Sequence, residues 1–230
     1  MKTAVQALVM VLCGFGMLMA SEFVKKEYKE TIIAIVLDES GSMNEGDKKQ
    51  KTISGFNEYF ESVTSRKEKP KFELTRFNTE KMEVGLEGLK LTAENYQPNA
   101  GTPLYDAIGK TIENVDKSFC RHTKILLVIF TDGLENSSTK FSQSQIRSMI
   151  SEREEKGWTI VYMGSDKGTY LSANDIGISP LNIIRFGDHQ FDIGIRALTV
   201  ETGAMLNGTK VNTTGFFTSE ESIKLKEENK

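Results

Sequence analysis

Short, strongly apolar runs alternate along the chain with stretches whose apolar residues recur at helical spacing. The runs lie at residues 32–37, 125–130, 159–163 and 183–184. Runs of this length, rich in β-branched residues, are typical of strands buried on both faces, as in a parallel sheet. Residues 72–77 and 82–86 instead place apolar side chains close to every second position, which predicts a hairpin or edge strands with one wet face.

Between these runs, apolar residues recur every three or four positions, which predicts helices that lay one apolar face on a sheet. The four stripes are Ile53, Phe56, Phe60 and Val63; Leu104, Ile108, Ile112 and Val115; Ile146, Met149 and Ile150; and Phe191, Ile195 and Leu198. Strands that alternate with helices predict an α/β fold with a mostly parallel central sheet and helices on both faces.

The first twenty residues have a different character. Lys2 precedes an apolar run from Ala4 to Ala20, which at ~1.5 Å per residue falls short of a ~30 Å hydrocarbon core. This pattern, followed by the polar Ser21, predicts a secretory signal peptide, with an uncleaved anchor or a buried helix as alternatives. The predicted organisation is a signal peptide or N-terminal anchor at 1–20, a linker at 21–30, one domain at 31–206 and a polar tail at 207–230.

The predicted compartment depends on this N-terminal run. A signal peptide places the domain outside the cytoplasm, either secreted or anchored to a membrane. A run that is not a signal leaves the domain cytoplasmic. Membrane contact is expected only through residues 4–20, and only if they are not cleaved.

Composition narrows the function further. The chain has 230 residues, 38% hydrophobic and 27% charged, which suits one globular domain with a sizeable core. Its 29 Lys and Arg against 32 Asp and Glu give a net charge of −3, which argues against a nucleic-acid binder that depends on bulk attraction to phosphate. Two Cys and two His exclude a disulfide framework and a cysteine zinc site, and they leave little room for histidine catalysis.

Polar residues follow two of the predicted strands. The first strand ends in Asp38-Glu39-Ser40-Gly41-Ser42, and the run at 125–130 ends in Thr131-Asp132-Gly133. Gly101-Thr102-Pro103 opens the helix that begins near Leu104. Ligands of open α/β sheets bind just past the carboxyl ends of the strands, so we expect these groups to converge.

Two carboxylates and three hydroxyls are hard oxygen ligands that suit Mg²⁺, with Mn²⁺ or Ca²⁺ as possible substitutes. The predicted ligands are Asp38, Ser40, Ser42, Thr102 and Asp132. Because hydroxyls are neutral, such a site leaves the ion incompletely neutralised, and the ion is then expected to keep waters and attract an outside anion. Taken singly, each residue also has a simpler explanation as a helix cap or a turn residue.

Together these residues resemble the metal-ion-dependent adhesion site of von Willebrand factor type A domains. The resemblance runs from about residue 30 to 206, and its further stretches are similar to small stand-alone bacterial and phage members: Gly55-Phe56-Asn57, the segment 102–109 and Gly157-Trp158-Thr159. It implies a Rossmann-like, doubly wound sheet with one antiparallel edge strand. It also implies that Ser40, Ser42 and Thr102 bind the ion directly, while Asp38 and Asp132 act largely through water or the hydroxyls.

The resemblance further implies a partner protein whose Asp or Glu completes the coordination. We therefore expect a metal-dependent protein-binding module for adhesion or scaffolding, with no enzymatic activity and no nucleic-acid partner. The alternative is an accessory subunit that recruits clients to an AAA+ ATPase or a chelatase-type machine. Four acidic residues are expected to lie around the rim of the metal site and to weaken the binding of an acidic ligand; they are Glu39, Glu45, Asp47 and Glu135.

Overall fold

The computed structural model describes residues 28–120, 122–164, 168–185, 190–210, 215–220 and 222–223. The predicted signal or anchor segment at 1–20 and most of the linker lie outside the described residues. Among the residues that are described, no helix combines the length and the apolar character needed to cross a membrane.

One mixed sheet forms the centre of the described structure. Its strands are β1 (Glu30–Asp38), β2 (Lys71–Phe77), β3 (Met82–Glu87), β4 (Thr123–Phe130), β5 (Thr159–Gly164) and β6 (Ile183–Arg185), in the order β3-β2-β1-β4-β5-β6. Neighbouring strands are parallel except for the antiparallel pair β2–β3. The predicted α/β fold with one antiparallel edge strand is therefore confirmed.

Helices cover both faces of the sheet. They are α1 (Lys48–Thr64), α2 (Leu104–Ser118), α3 (Gln143–Glu155), α4 (Thr169–Asp175) and α5 (Phe191–Leu206), with short 3-10 helices at Gly41–Asn44 and Pro180–Asn182. One core contains Ile33, Ile35 and Leu37 of β1 with residues of α1 and α5. The other contains Ile32, Ala34 and Val36 with residues of α2, α3 and α4. Successive side chains of β1 are thus buried on opposite faces, which explains its unbroken apolar run.

The expectation of one wet face is wrong for β2. This strand lies between β3 and β1, and its Glu73, Thr75 and Arg76 are buried. Each of the three has a polar partner: Asn114 Nδ2 donates to Glu73 at 3.1 Å, Thr111 Oγ1 donates to Thr75 at 2.9 Å, and Arg76 donates to Glu83 at 2.5 Å. The polar residues of β2 therefore belong to buried polar pairs, and of these two strands only β3 lies at an edge of the sheet.

The segment after α5 packs onto the domain. The predicted polar tail at 207–230 includes Phe216 and Phe217, which are both only 1% exposed and belong to the core with α1 and α5. The buried Glu201 of α5 holds this segment, because its carboxylate accepts hydrogen bonds from the backbone N–H of Thr218 at 2.7 Å and of Ser219 at 2.6 Å. Lys210 forms an ion pair with the same carboxylate.

The ion pair and hydrogen bonds of Glu201 predict that part of the free energy of unfolding is lost in acid. Burial raises the pKa of Glu201, but Lys210 and the two N–H donors outweigh burial and hold the pKa below the ordinary 4.5. Because the folded pKa is depressed, the stabilisation is complete above pH 4.5 and is lost as the pH falls through the folded pKa. We expect Glu201→Gln to lower the free energy of unfolding by about 1–3 kcal/mol at pH 7, and by less in acid.

Urea denaturation at pH 7 and at a pH below 4 measures both effects. Glu61→Gln is the control, because Glu61 and its partner Lys90 are both exposed, and exposed ion pairs contribute about 0–1 kcal/mol. An equal loss for the two variants would contradict a special role for Glu201.

Candidate metal centre

Parallel pairing of β1 and β4 brings the two predicted acidic segments to one edge of the sheet. Leu37 lies beside Phe130 in the register, so the residues that follow these two positions leave the sheet together. Asp38 and Asp132 are both buried. The hydroxyl of Tyr96, which is also buried, donates to the backbone carbonyl of Asp38 at 2.6 Å and holds the end of β1 in place.

The turn after β1 folds back on Asp38. The backbone N–H of Ser40 donates to Asp38 Oδ1 at 2.7 Å, and the 3-10 helix Gly41–Asn44 follows directly. This geometry places Ser40 Oγ and Ser42 Oγ 3.2 Å apart. The two predicted serine ligands therefore occupy neighbouring positions at one centre.

Hydroxyl–carboxylate hydrogen bonds join the two segments. Thr131 Oγ1 donates to Asp38 Oδ2 at 2.5 Å, and Ser42 Oγ donates to Asp132 Oδ1 at 2.7 Å. Each acidic side chain is thus oriented by a hydroxyl from the opposite segment. Charged acceptors make such hydrogen bonds stronger than neutral ones.

Thr102 reaches the same place from a third segment. A Cβ atom built on Gly133 would lie 3.3 Å from Thr102 Oγ1, 3.4 Å from Ser42 Oγ and 3.5 Å from Asp38 Oδ2. Oxygens of two separate segments, 38–42 and Thr102, therefore surround one point beside Gly133, and the missing side chain of Gly133 keeps that point open. Asn136 positions Thr102, because its Oδ1 accepts from the Thr102 N–H at 2.9 Å.

Helix capping does not account for these hydroxyls. Ser40 stands at the N-cap of the 3-10 helix, but its side chain makes no capping hydrogen bond. The N-cap positions of α1 and α2 are occupied by Asp47 and Pro103. Thr102 Oγ1 makes no hydrogen bond within the described part of the chain.

The electrostatics of Asp38 favour a nearby cation. The pKa of Asp38 is raised to about 6, mainly by burial and also by the negative charge of Asp132, while hydrogen bonds from Thr131 and Ser40 partly offset the rise. A divalent ion in the open space would compensate both carboxylates. Burial without compensation is the main reason why charged groups are costly in proteins.

The donor set fits a hard divalent ion. Adjacent ligands of an octahedral Mg²⁺ at ~2.1 Å lie about 3.0 Å from each other, which is close to the 3.2 Å between Ser40 Oγ and Ser42 Oγ. Across the described residues, no group of three or more His, Cys, Asp or Glu side chains has a metal-binding arrangement. A metal centre here therefore depends on the hydroxyls of Ser40, Ser42 and Thr102.

Only two of the four expected rim acids are exposed. Glu39 is buried and accepts from the Gln97 N–H at 2.5 Å, while the Glu135 carboxylate accepts from the N–H groups of Tyr105, Ser137 and Ser138. The exposed Glu45 and Asp47 are each paired with a lysine of α1, at 3.3 Å and 2.9 Å. The exposed negative charge around the metal site is therefore smaller than the number of acidic residues implied.

Sequence reasoning did not find Lys48. Its ammonium lies 2.5 Å from Asp132 Oδ2, next to the predicted ligands. Lys48 stands outside the Asp38–Ser42 motif at the start of α1, among several other lysines, so nothing in the sequence separates it from a solvent-exposed lysine. Asn136 was missed for the same reason, since it acts on the Thr102 backbone and belongs to no motif.

No protein-family model and no curated protein matches this chain. Solved structures do match. Proximal thread matrix protein 1 from the mussel byssus has a TM-score of 0.59 and 15% identity, covering 77% of this chain and 49% of its own. The manganese-loaded TRAP protein of Plasmodium vivax has a TM-score of 0.52 and 13% identity, covering 74% of this chain and 73% of its own.

The pilus adhesin SpaC from Lactobacillus rhamnosus GG has a TM-score of 0.58 and 13% identity, covering 82% of this chain and 31% of its own. This chain thus spans about half the length of the thread matrix protein and less than a third of SpaC. At these identities the likeness concerns the fold alone. It supports the predicted Rossmann-like α/β fold with a mostly parallel sheet.

Proposed function

We propose that this chain is a divalent-metal-dependent protein-binding module. A carboxylate of the partner protein completes the coordination shell of the metal ion. The observation that carries the proposal is the convergence of Thr102, Ser42 and Asp38 oxygens around one point beside Gly133. Asp38 and Ser42 belong to one segment, while Thr102 and Gly133 come from two others that are distant from it in the sequence. Structural packing alone does not require hydroxyls and carboxylates to face a shared open space.

In this proposal each residue has a defined task. Ser40, Ser42 and Thr102 hold the ion with neutral oxygens, and Asp38 and Asp132 orient the site and supply its negative charge. Mg²⁺ is the proposed ion, with Mn²⁺ or Ca²⁺ as possible substitutes. When bound, the ion supplies a positive charge that three neutral ligands leave incompletely balanced. That charge favours an Asp or Glu side chain from a partner protein.

The names of the structural neighbours support the proposal. One is a pilus adhesin, one a byssus thread protein, and the TRAP structure is manganese-loaded. We propose that this chain, too, acts by binding rather than by catalysis, and that it does so outside the cytoplasm. The alternative, recruitment of clients to an ATPase or chelatase-type machine, uses the same metal centre and stays a prediction.

Replacing Thr102 by valine tests the metal centre. The substitution keeps the shape of the side chain and removes its hydroxyl, so we expect Mg²⁺ or Mn²⁺ binding to weaken at least tenfold in calorimetric titration. Thr111→Val is the matched control. It also removes a buried hydroxyl of α2, one that donates to Thr75 Oγ1 at 2.9 Å, and it should cost about 1 kcal/mol of stability without changing metal affinity. Equal affinity in both variants would exclude Thr102 as a ligand.

Gly133→Ala tests the position of the ion. Its added methyl group would stand within 3.5 Å of Thr102, Ser42 and Asp38 oxygens, and the backbone of Gly133 is outside the left-handed region, so alanine is not strained there. We expect the melting temperature without metal to stay within a few degrees and metal binding to weaken at least tenfold. Unchanged metal binding would place the ion elsewhere.

A carboxylate probe tests the partner chemistry. Mn²⁺ bound to the protein relaxes the protons of the water molecules it coordinates. We expect acetate to displace such a water and lower the relaxation enhancement, while acetamide, which has the same shape and no charge, leaves it unchanged. An equal response to the two compounds would contradict a preference for carboxylates.

A further inference from the structure

Lys48 brings a cation of the chain's own to the metal centre. Its Nζ lies 2.5 Å from Asp132 Oδ2, 3.4 Å from the backbone carbonyl of Ser42 and 3.3 Å from Glu45 Oε2. Two of these three groups belong to residues that the proposed metal site uses. The ammonium therefore sits against the site itself.

The position of Lys48 in its helix makes this contact significant. Lys48 is the first residue of α1, and the first turn of this helix contains no acidic residue. A positive charge at a helix N-terminus is unfavourable, because the unpaired N–H groups there already carry partial positive charge. The negative charge of Asp132 offsets this unfavourable interaction. Asp132 is the one buried carboxylate among the three acceptors of Lys48.

Asp132 has both of its oxygens engaged in this arrangement. Oδ1 accepts from the Ser42 hydroxyl at 2.7 Å, and Oδ2 is taken by Lys48. A divalent ion that is stabilised by the charge of Asp132 must therefore compete with the Lys48 ammonium for this carboxylate. Two cations cannot share this carboxylate without repelling each other at close range.

We propose that Lys48 is a built-in competitor of the metal ion: it neutralises Asp132 while the site holds no ion, and it must leave Asp132 when the ion binds. This inference rests on the proposed metal-dependent function. Its consequence is that the ion pair between Lys48 and Asp132 sets the metal concentration at which the module becomes able to bind a partner.

Lys51 provides a matched comparison in the same helix. The side chain of Lys48 is 29% exposed and that of Lys51 is 28% exposed, and Lys51 forms its ion pair with Asp47 at 2.9 Å. Removing either lysine changes the net charge by the same amount. An effect of net charge alone would therefore be the same in both variants, whereas competition for Asp132 predicts an effect at Lys48 alone.

The experiment compares the unmodified chain with Lys48→Met and Lys51→Met. Calorimetric titration with Mn²⁺ should show about tenfold tighter binding for Lys48→Met, the change expected when a charge-assisted hydrogen bond no longer has to be broken, and a change of less than about twofold for Lys51→Met. In EDTA, Lys48→Met should melt below the unmodified chain, because the buried Asp132 carboxylate loses its ion pair and keeps the Ser42 hydroxyl. Saturating Mn²⁺ should remove this difference.

The outcomes separate the two proposals. If the unmodified chain binds Mn²⁺ and Lys48→Met binds it equally or less tightly, the competitor role is wrong and the metal-binding function stands. If all three proteins fail to bind, both are wrong. Binding by Lys48→Met alone supports the competitor role in its strongest form.

Lys48→Gln is the second variant if Lys48→Met does not fold. Glutamine keeps a hydrogen-bond donor for Asp132 without the charge, so it should also bind Mn²⁺ more tightly than the unmodified chain. Lys48→Arg keeps the charge and should bind Mn²⁺ no more tightly than the unmodified chain. Tighter binding by Lys48→Arg than by Lys48→Gln would overturn the inference.

Discussion

Negative charge held at the carboxyl ends of two neighbouring strands is the constraint on which this structure depends. Asp38 and Asp132 are both buried, and the negative charge of Asp132 adds to the rise in the pKa of Asp38 that burial causes. The surrounding hydrogen-bond donors stabilise this charge. Thr131 and the Ser40 N–H serve Asp38, while Ser42 and Lys48 serve Asp132. Clusters of buried charge of this kind are typical of functional sites.

The loop after Asp132 is hydrogen-bonded to α2, and Thr102 lies just before the first residue of this helix. Asp106, near the start of α2, accepts hydrogen bonds from the N–H groups of Thr139, Lys140 and Phe141. Backbone donors offset burial there and lower the pKa of Asp106. Asn136 and Glu135 add contacts with Thr102 and Tyr105. These hydrogen bonds connect the segment of Thr102 to the loop after Asp132, and they hold Thr102 beside Gly133.

Much of the fold was predictable because the buried strands and helical stripes follow simple periodicities. The runs at 32–37 and 125–130 lie within parallel strands β1 and β4, and the same reasoning placed Asp38 and Asp132 at one edge. Periodicity failed at β2, since its alternating polar residues are buried in pairs that depend on residues distant in the sequence. The partners of Glu201 were not predictable for the same reason.

The five predicted ligands could be chosen from the sequence, but the charge balance of the candidate site could not. Five oxygen-bearing residues stand in recognisable local motifs, whereas Lys48 and Asn136 act through contacts that only the folded chain creates. The burial of Glu39 likewise follows from its position beneath the loop of Gln97, and it removes one acid from the expected rim.

The alcohol ligands have a consequence for the environments in which such a module would work. Serine and threonine oxygens offer neither a thiol for oxidants nor an imidazole for thiophilic or borderline metals such as copper and zinc. In the proposed module, a recognition surface assembled from them would tolerate oxygen-rich surroundings and traces of heavy metals. It would respond instead to the abundant alkaline-earth ions of natural waters and body fluids.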